Sequence, residues 1–384
     1  MKKIAFLVGM LPNPRNQKRL ALERSIAEVD LICWDRGQNM VGLSVPEGVR
    51  THRLCIETAP DMAGKPLRRL VPFLKFAVQA SRLLAETDPD VIHAENMDML
   101  LIALLAKRRS KKQVRILYEI PDLHGLIVDE QKSLLKKMIR VCLRGMDKVL
   151  CRQVDLLILT SPRFYDAYYC HLIPREKMLY MPNAPEKPVF EDYHRKEEGT
   201  PFTIGFIGQV FYKQQALNLV EAAKRTGAHL MIAGYETDER GDVETACRSY
   251  QNAEWFGRYD FRRQAAELYG KCDVIHLVYD ADMKNVKNLL PNKLYESVRC
   301  ELPVIVAKGT YLSQVVEEWG VGLAVDHRSV EELVKAIEQL RPGSVLYNRS
   351  VENCRQHRQD TELDAYNEQF IAELSKLTEN AYIS

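Results

Sequence analysis

A chain of 384 residues, 46% hydrophobic and 28% charged, is long enough for two α/β domains of ordinary size, and its composition excludes a disordered or fibrous protein. The 54 Lys and Arg nearly balance 52 Asp and Glu, yet residues 1–190 carry 31 bases against 21 acids, a surplus of ten, and the remainder carries eight more acids than bases. A basic half predicts an anionic partner: nucleic acid, an anionic bilayer surface or a phosphate-bearing substrate. Nine cysteines without a CxxC pair point to free thiols in a reducing compartment, and against zinc or a disulfide framework.

In chain order, the first signal is the apolar run 4–11 after two lysines. It is short, lacks a small-residue cleavage site, and is followed by Arg15, Lys18 and Arg19. A first strand is therefore expected, not a secretion signal. Further strands are predicted at 29–34, 50–55, 91–94, 115–119 and 156–160, with helices at 69–85, 97–107, 131–151 and 162–170. Short apolar runs alternating with longer periodic segments imply a parallel sheet flanked by helices. Residues 184–201 are polar and contain Pro185, Pro188 and Pro201, which reads as a linker between a domain at 1–183 and one at 202–360. Strands then resume at 202–207, 230–233, 274–278, 303–307 and 322–325, with helices at 213–226, 262–271, 292–300 and 329–340. The tail 361–384 holds a last helix (361–377) able to pack back on the first domain. No run of 18 uncharged apolar residues occurs, so no membrane-spanning helix is expected. The fold class is α/β, with two Rossmann-like domains whose parallel sheets face each other across a cleft. Ligands of such sheets bind at the carboxyl ends of the strands.

The stretch Asn288-Leu-Leu-Pro-Asn-Lys-Leu-Tyr-Glu296 carries the most chemistry. Pro291 suits a helix entry, and Asn292 can cap the next amides. A helix N-terminus offers unpaired N–H groups and a partial positive charge, a ready site for a diphosphate. Lys293 in the first turn opposes the helix dipole unless an anion lies there. Glu296, three residues on, can accept hydrogen bonds from paired ribose hydroxyls.

PNKLYE followed by the strand PVIVA resembles the donor-binding segment of glycosyltransferase family four, the group 1 retaining transferases of the GT-B fold. DVIHAEN (90–96), VDLLILTSPRF (154–164), MPNA (181–184), FIGQVFYKQQALNLVEAA (206–223), HLMIAGYE (229–236) and DVIHLVYD (273–280) agree in order. The resemblance implies that the helix N-terminus at Pro291, Asn292, Lys293 and Leu294 holds the donor diphosphate and Glu296 the ribose. Gly208 belongs to the same donor site. Asn288 stands where many members have a second Glu for the donor sugar. Many members follow the glycine matching Gly208 with Arg and place Lys six residues after it; this chain has Gln209 and Gln214, with Lys213 next to the latter. Where members often have a His, this chain has Pro121, with Glu119, Asp122 and His124 beside it.

The catalytic set implied is therefore Lys213, Lys293 and Asp122. Fixed cations stabilise charge on the leaving diphosphate, and that phosphate helps take the acceptor's proton. Arg15, Lys18, Arg19 and Glu119 are expected on the acceptor side; His93 is expected to be structural. No metal or other cofactor is implied, and Asp280 and Asp282 are not expected to bind one.

Residues 131–151 form the second informative segment. Lys132, Lys136, Arg140, Arg144 and Lys148 recur every four residues beside apolar positions. A basic amphipathic helix can lie on anionic lipid; the same pattern also suits a helix packed on its own sheet. Arg68, Arg69 and Lys75 add charge to the same half. These features predict a cytoplasmic transferase, peripheral on the inner membrane face, that moves a sugar from a nucleotide sugar to a saccharide or lipid-linked acceptor in surface polysaccharide assembly. A sugar-nucleotide epimerase and a non-catalytic nucleotide-sugar-binding subunit are the alternatives. Nucleic-acid binding is not expected, because the basic residues lack interleaved aromatics.

Overall fold

The computed structural model describes residues 2–37, 45–58, 66–130, 133–197, 199–236 and 240–379, with only the backbone of 66–69. Gln131, Lys132 and the side chains of Arg68 and Arg69, all part of the sequence reading, lie outside the described set. In chain order the elements are β1 (Lys3–Val8), α1 (Pro14–Arg24), β2 (Glu28–Asp35), β3 (Arg50–Cys55), α2 (Pro66–Thr87), β4 (Val91–Glu95), α3 (Asn96–Lys107), β5 (Arg115–Ile120), α4 (Gly125–Val128), α5 (Leu134–Cys151), β6 (Leu156–Leu159), α6 (Pro162–Ala167) and β7 (Met178–Tyr180). The second half continues with β8 (Thr203–Ile207), α7 (Lys213–Thr226), β9 (His229–Ala233), α8 (Asp242–Arg248), β10 (Ala253–Gly257), α9 (Phe261–Gly270), β11 (Val274–Leu277), α10 (Lys284–Asn288), α11 (Asn292–Arg299), β12 (Val304–Ala307), α12 (Tyr311–Trp319), β13 (Gly322–Val325), α13 (Val330–Gln339), α14 (Val345–Gln356) and α15 (Asp364–Glu379).

The chain divides into two units, Met1–Met181 with Asp364–Ser384, and Pro182–Leu363. The first unit is a parallel sheet in the order β3-β2-β1-β4-β5-β6-β7. The connections carrying α2, α3 and α5 all run the same way across it, so right-handed crossovers place these helices on one face. The α1 connection runs the opposite way, onto the other face, where α15 packs on α1. Phe370 and Leu374 of α15 are buried there with Ile4, Phe6, Val8 and Leu20.

The second unit repeats the plan in the order β10-β9-β8-β11-β12-β13. One face packs α9, α11 and α12 through Leu268, Leu294, Val298 and Leu312. The other packs α7, α8 and α13 through Leu219, Val243 and Leu333. Buried on both faces, the strands read as unbroken apolar runs such as Val304–Ala307. Within residues 184–201 the backbone makes a 3-10 turn at Lys187–Phe190. Phe190 is buried in the second unit's core, 5.5 Å from the Tyr269 ring. That segment is thus partly a packed element, because an aromatic side chain among prolines found a pocket.

Candidate functional site

In each sheet the strand order reverses beside one strand pair, β1/β4 in the first unit and β8/β11 in the second. The crevice at such a reversal is where open α/β sheets bind ligands. In the second unit, β8 leads into Gly208, whose φ of +141° favours glycine. A Cβ there would lie 3.1 Å from Cε of Lys293, so the bare backbone brings α11's lysine against the end of β8. Gly234, at the end of β9, is equally constrained: a Cβ would meet the Gly208 carbonyl oxygen at 1.8 Å.

Helix α11 begins at Asn292 with Pro291 as its N-cap, and no side chain caps its first amides. Asn292, expected as a cap, instead occupies the first helical position and donates from Nδ2 to Glu296 Oε1 at 2.5 Å. Lys293 Nζ donates to Glu296 Oε2 at 3.0 Å, and the Tyr269 hydroxyl donates to the same oxygen. Glu296 is only 1% exposed and Lys293's side chain 13%. Burial alone would push the Lys293 ammonium down, but the Glu296 carboxylate and the Tyr259 and Tyr279 hydroxyls outweigh it and hold its pKa above the usual value. The Phe261 ring centre lies 5.6 Å from Nζ. The structure thus provides a fixed, permanently charged cation at the open end of a helix dipole.

Leu294 departs from expectation. It is fully buried in the core, and its N–H donates to the Pro291 carbonyl at 3.1 Å, so neither side chain nor amide is offered to a ligand. Asn288 ends α10, partly buried, with Nδ2 donating to the Lys284 carbonyl at 2.7 Å. Lys213 opens α7, but its ammonium is ion-paired with Asp242 at the start of α8. Asp280 and Asp282 lie near His327, whose Nδ1 is 3.6 Å from Asp280 and Nε2 3.9 Å from Asp282, while Arg328 pairs with Asp282. Sequence reading missed the tyrosines around Lys293. Tyr259, Tyr269 and Tyr279 come from three separate segments, and only the fold assembles them.

In the first unit, three of the expected acceptor residues, Arg15, Arg19 and Glu119, meet in a buried charge network at the β1/β4 reversal. Arg15 donates to Glu95 at 2.8 Å, and its Nε is 3.5 Å from Glu119. Arg19 Nε lies 3.4 Å from Glu119. His93 sits between two carboxylates, with Nδ1 2.5 Å from Glu23 and Nε2 3.1 Å from Glu119. Arg19 and Glu119 are 2% and 0% exposed. Expected as acceptor contacts, they lie inside the unit and can only hold other groups in place. The reason is that Pro14–Arg24 is a helix, not a loop, and turns Arg19 inward; Asn13 caps it, with Pro14 at its first position. That Asn-Pro signal was present in the sequence.

Burial would lift Glu119, but Arg19, His93 and Arg15 outweigh it and bring its pKa down to about 2. Burial would lower His93, but Glu23 and Glu119 raise it to about 9. Arg15 retains 12% exposure, its charge strengthened by Glu95 and Glu119 and by the nearby exposed Asp122. Lys18, one residue before Arg19, is partly exposed. Of the acceptor set, Arg15 and Lys18 remain partly accessible, and Asp122, expected in the catalytic set, is exposed.

Residues 18–184 match the glycosyl transferase 4-like domain, and residues 190–357 match the glycosyl transferases group 1 family. The chain is 26% identical over 360 residues to the succinoglycan biosynthesis protein ExoL of Rhizobium meliloti (strain 1021), covering 89% of this chain and 86% of that one. Its fold is similar to that of sucrose-phosphate synthase from Thermosynechococcus elongatus (TM-score 0.77, 15% identity, 99% and 100% of the two chains). It is also similar to that of Anabaena HepE in complex with UDP and glucose (TM-score 0.69, 13% identity, 98% and 100%). With both halves matched in order and a parallel-sheet unit in each, the chain belongs to the group 1 glycosyltransferases of the GT-B fold.

Proposed function

We propose that this glycosyltransferase moves a hexosyl group, with retention of configuration, from a nucleotide sugar to a saccharide or lipid-linked saccharide during surface polysaccharide assembly. The observation that carries the donor assignment is the uncapped start of α11, with Lys293 buried against Gly208 and paired to Glu296. The similarity to a succinoglycan biosynthesis protein supports the pathway class, and the neighbour holding UDP and glucose supports a UDP-hexose.

In this reading the donor diphosphate takes the open amides of α11 and the Lys293 ammonium. Negative charge that builds on the leaving phosphate meets donors already in place. The ribose hydroxyls bond to Glu296, exchanging with Asn292 or Tyr269 for its oxygens. Asn288 faces the sugar as a neutral hydrogen-bonding group. Lys213 supplies a second cation once the diphosphate replaces Asp242. On the acceptor side, Arg15 and Lys18 hold an anionic group and Asp122 a hydroxyl, with Arg19 and Glu119 fixing Arg15 from beneath. The acceptor is met at the inner face of an anionic membrane; among the described residues no helix is long and apolar enough to cross one.

No metal is needed when Lys293, Lys213 and a helix terminus neutralise the leaving group. A panel of UDP-, GDP- and ADP-hexoses tests the reading, scored for binding, slow hydrolysis and transfer with excess EDTA or with magnesium or manganese. One nucleotide class should bind, with rates equal in EDTA and in metal. Loss in EDTA with rescue by manganese would shift the chemistry to Asp280, Asp282 and His327. Interconversion of two nucleotide sugars without acceptor would make the protein an epimerase.

A further inference from the structure

The spacing of bases along α5 suggests one charged stripe turned outward, and the structure divides it: Lys136 and Lys148 stay exposed, while Arg140 and Arg144 reach back to α4. Arg140 and Arg144 both donate from Nε to the Ile127 carbonyl, at 3.2 and 2.9 Å, and the Arg144 guanidinium lies 5.6 Å from the Tyr168 ring centre. The two arginines fasten α5 to α4. The opposite side is apolar and open: Leu134, Leu135, Met138 and Val141 are 61–75% exposed, with Val149 and Cys142 also exposed. Positions 134, 138, 141, 145 and 149 share one helical face.

The feature extends beyond one helix. Helix α3 packs against both α2 and α5, in the layer covering one face of the sheet. Each helix buries one side inward, as Phe76, Ala80 and Leu84 of α2 and Met99, Leu100 and Ala103 of α3 show. Away from the sheet α2 exposes Leu70, Val71, Leu74 and Val78, and α3 exposes Leu105. A monomer seldom leaves so many large apolar side chains together without a partner.

We infer that this outer face of α2, α3 and α5 inserts its apolar side chains into the headgroup–acyl boundary of an anionic bilayer. Two observations favour lipid over protein. Lys136, Lys137 and Lys148 on α5 and Lys75 and Arg82 on α2 are exposed beside the apolar rows, while the one acid of α5, Asp147, is fully buried. A second copy laid on the same surface would set like charges against each other, whereas anionic headgroups complement them. The inference deepens the membrane-acceptor reading and takes its purpose from it. It differs from a purely electrostatic attachment in that insertion survives screening.

The test uses the full chain and vesicles of phosphatidylcholine with or without phosphatidylglycerol. The parent should sediment with anionic vesicles and remain partly bound in about 1 M salt, where charges are screened beyond about 3 Å. Met138→Gln with Val141→Gln leaves the charge unchanged and alters exposed positions; it should weaken partition at least tenfold with melting unchanged. An environment-sensitive dye on Cys142, with Cys55→Ser and Cys170→Ser, should shift to the blue on anionic vesicles. Complete release by salt, parent-like binding by the double variant, or an unshifted dye each overturns the inference. So does concentration-dependent self-association that the double variant abolishes, which would give the face to a second copy. Donor binding on the same samples separates the two readings. Insertion without donor binding removes the proposed function alone, and donor binding without insertion removes this inference alone.

Discussion

Replacing Lys293 with alanine should weaken nucleotide-sugar binding or turnover at least tenfold, equivalent to about 1.4 kcal/mol. The structure packs Lys293 directly against Gly208 at the end of β8, and Glu296 keeps it charged. Lys293→Met holds the volume and removes only the charge, so it should match the alanine variant in binding. Glu296→Gln retains the shape that Tyr269 and Asn292 bond to, yet loses the carboxylate expected to receive ribose, and should weaken nucleotide binding with the fold kept. Lys213→Ala should have the smaller effect, since Lys213 is already ion-paired with Asp242. Titration calorimetry checks the series, with melting curves to confirm folding. Parent-like affinity in both Lys293 variants and in Glu296→Gln would remove the donor from α11.

The second large effect is on stability. Glu119→Gln should lower the first unit's stability by about 3–5 kcal/mol, because it strands Arg19, Arg15 and His93 around a neutral side chain with no exposure. For a unit of this size that is a fall in melting temperature of roughly 6–20 °C. The network also sets a pH dependence. His93 is raised from 6.5 to about 9, so its contribution is complete below about 6.5 and fades as pH rises through about 9. Glu119 is depressed from 4.5 to about 2, so its contribution is complete above about 4.5 and is lost as pH falls toward 2. Scanning calorimetry across this range should show both flanks in the parent and lose the acid flank due to Glu119 in the variant. A melting temperature unmoved by Glu119→Gln would mean that the cluster is neutral or hydrated.

Much of the architecture was legible because buried parallel strands are short apolar runs and their helices are long and periodic. The strands Arg50–Cys55 and Gly322–Val325 fall where their spacing predicts, and the other predicted strands differ by one residue at one end or both. Several of the elements that escaped have weak signals, although α12 and α14, each with a serine or threonine cap, escaped as well. The β7 strand has three residues, and β10 is a part-exposed edge, AEWFG, without clean alternation. Helix α1 is mostly polar with only Leu20 to Leu22 apolar, and it opens just after Pro12, so its cue was the capping Asn13 followed by Pro14. At the donor segment, local chemistry named Lys293 and Glu296, because a lysine in a first helical turn violates the dipole rule. It could not show that Leu294 faces the core, or that Asn292 bonds to Glu296. Nor could it bring Tyr259, Tyr269 and Tyr279 together. On the acceptor side, charge suggested surface and the structure gave burial. Four residues apart on one helix, Arg15 and Arg19 share the face turned to Glu119, while Lys18 stays partly exposed. On α5 the spacing could not show that Arg140 and Arg144 bond to the Ile127 carbonyl of α4 while Lys136 and Lys148 stay exposed.

Hydrogen–deuterium exchange of the full chain, with and without a saturating nucleotide sugar, tests the central claim most directly. The account predicts that the donor slows exchange at the amides of residues 208–213 and 286–297, where Gly208 and the open start of α11 lie, while β4 and β5 exchange unchanged. Protection confined to other segments, or none at 286–297 under saturation, would contradict it.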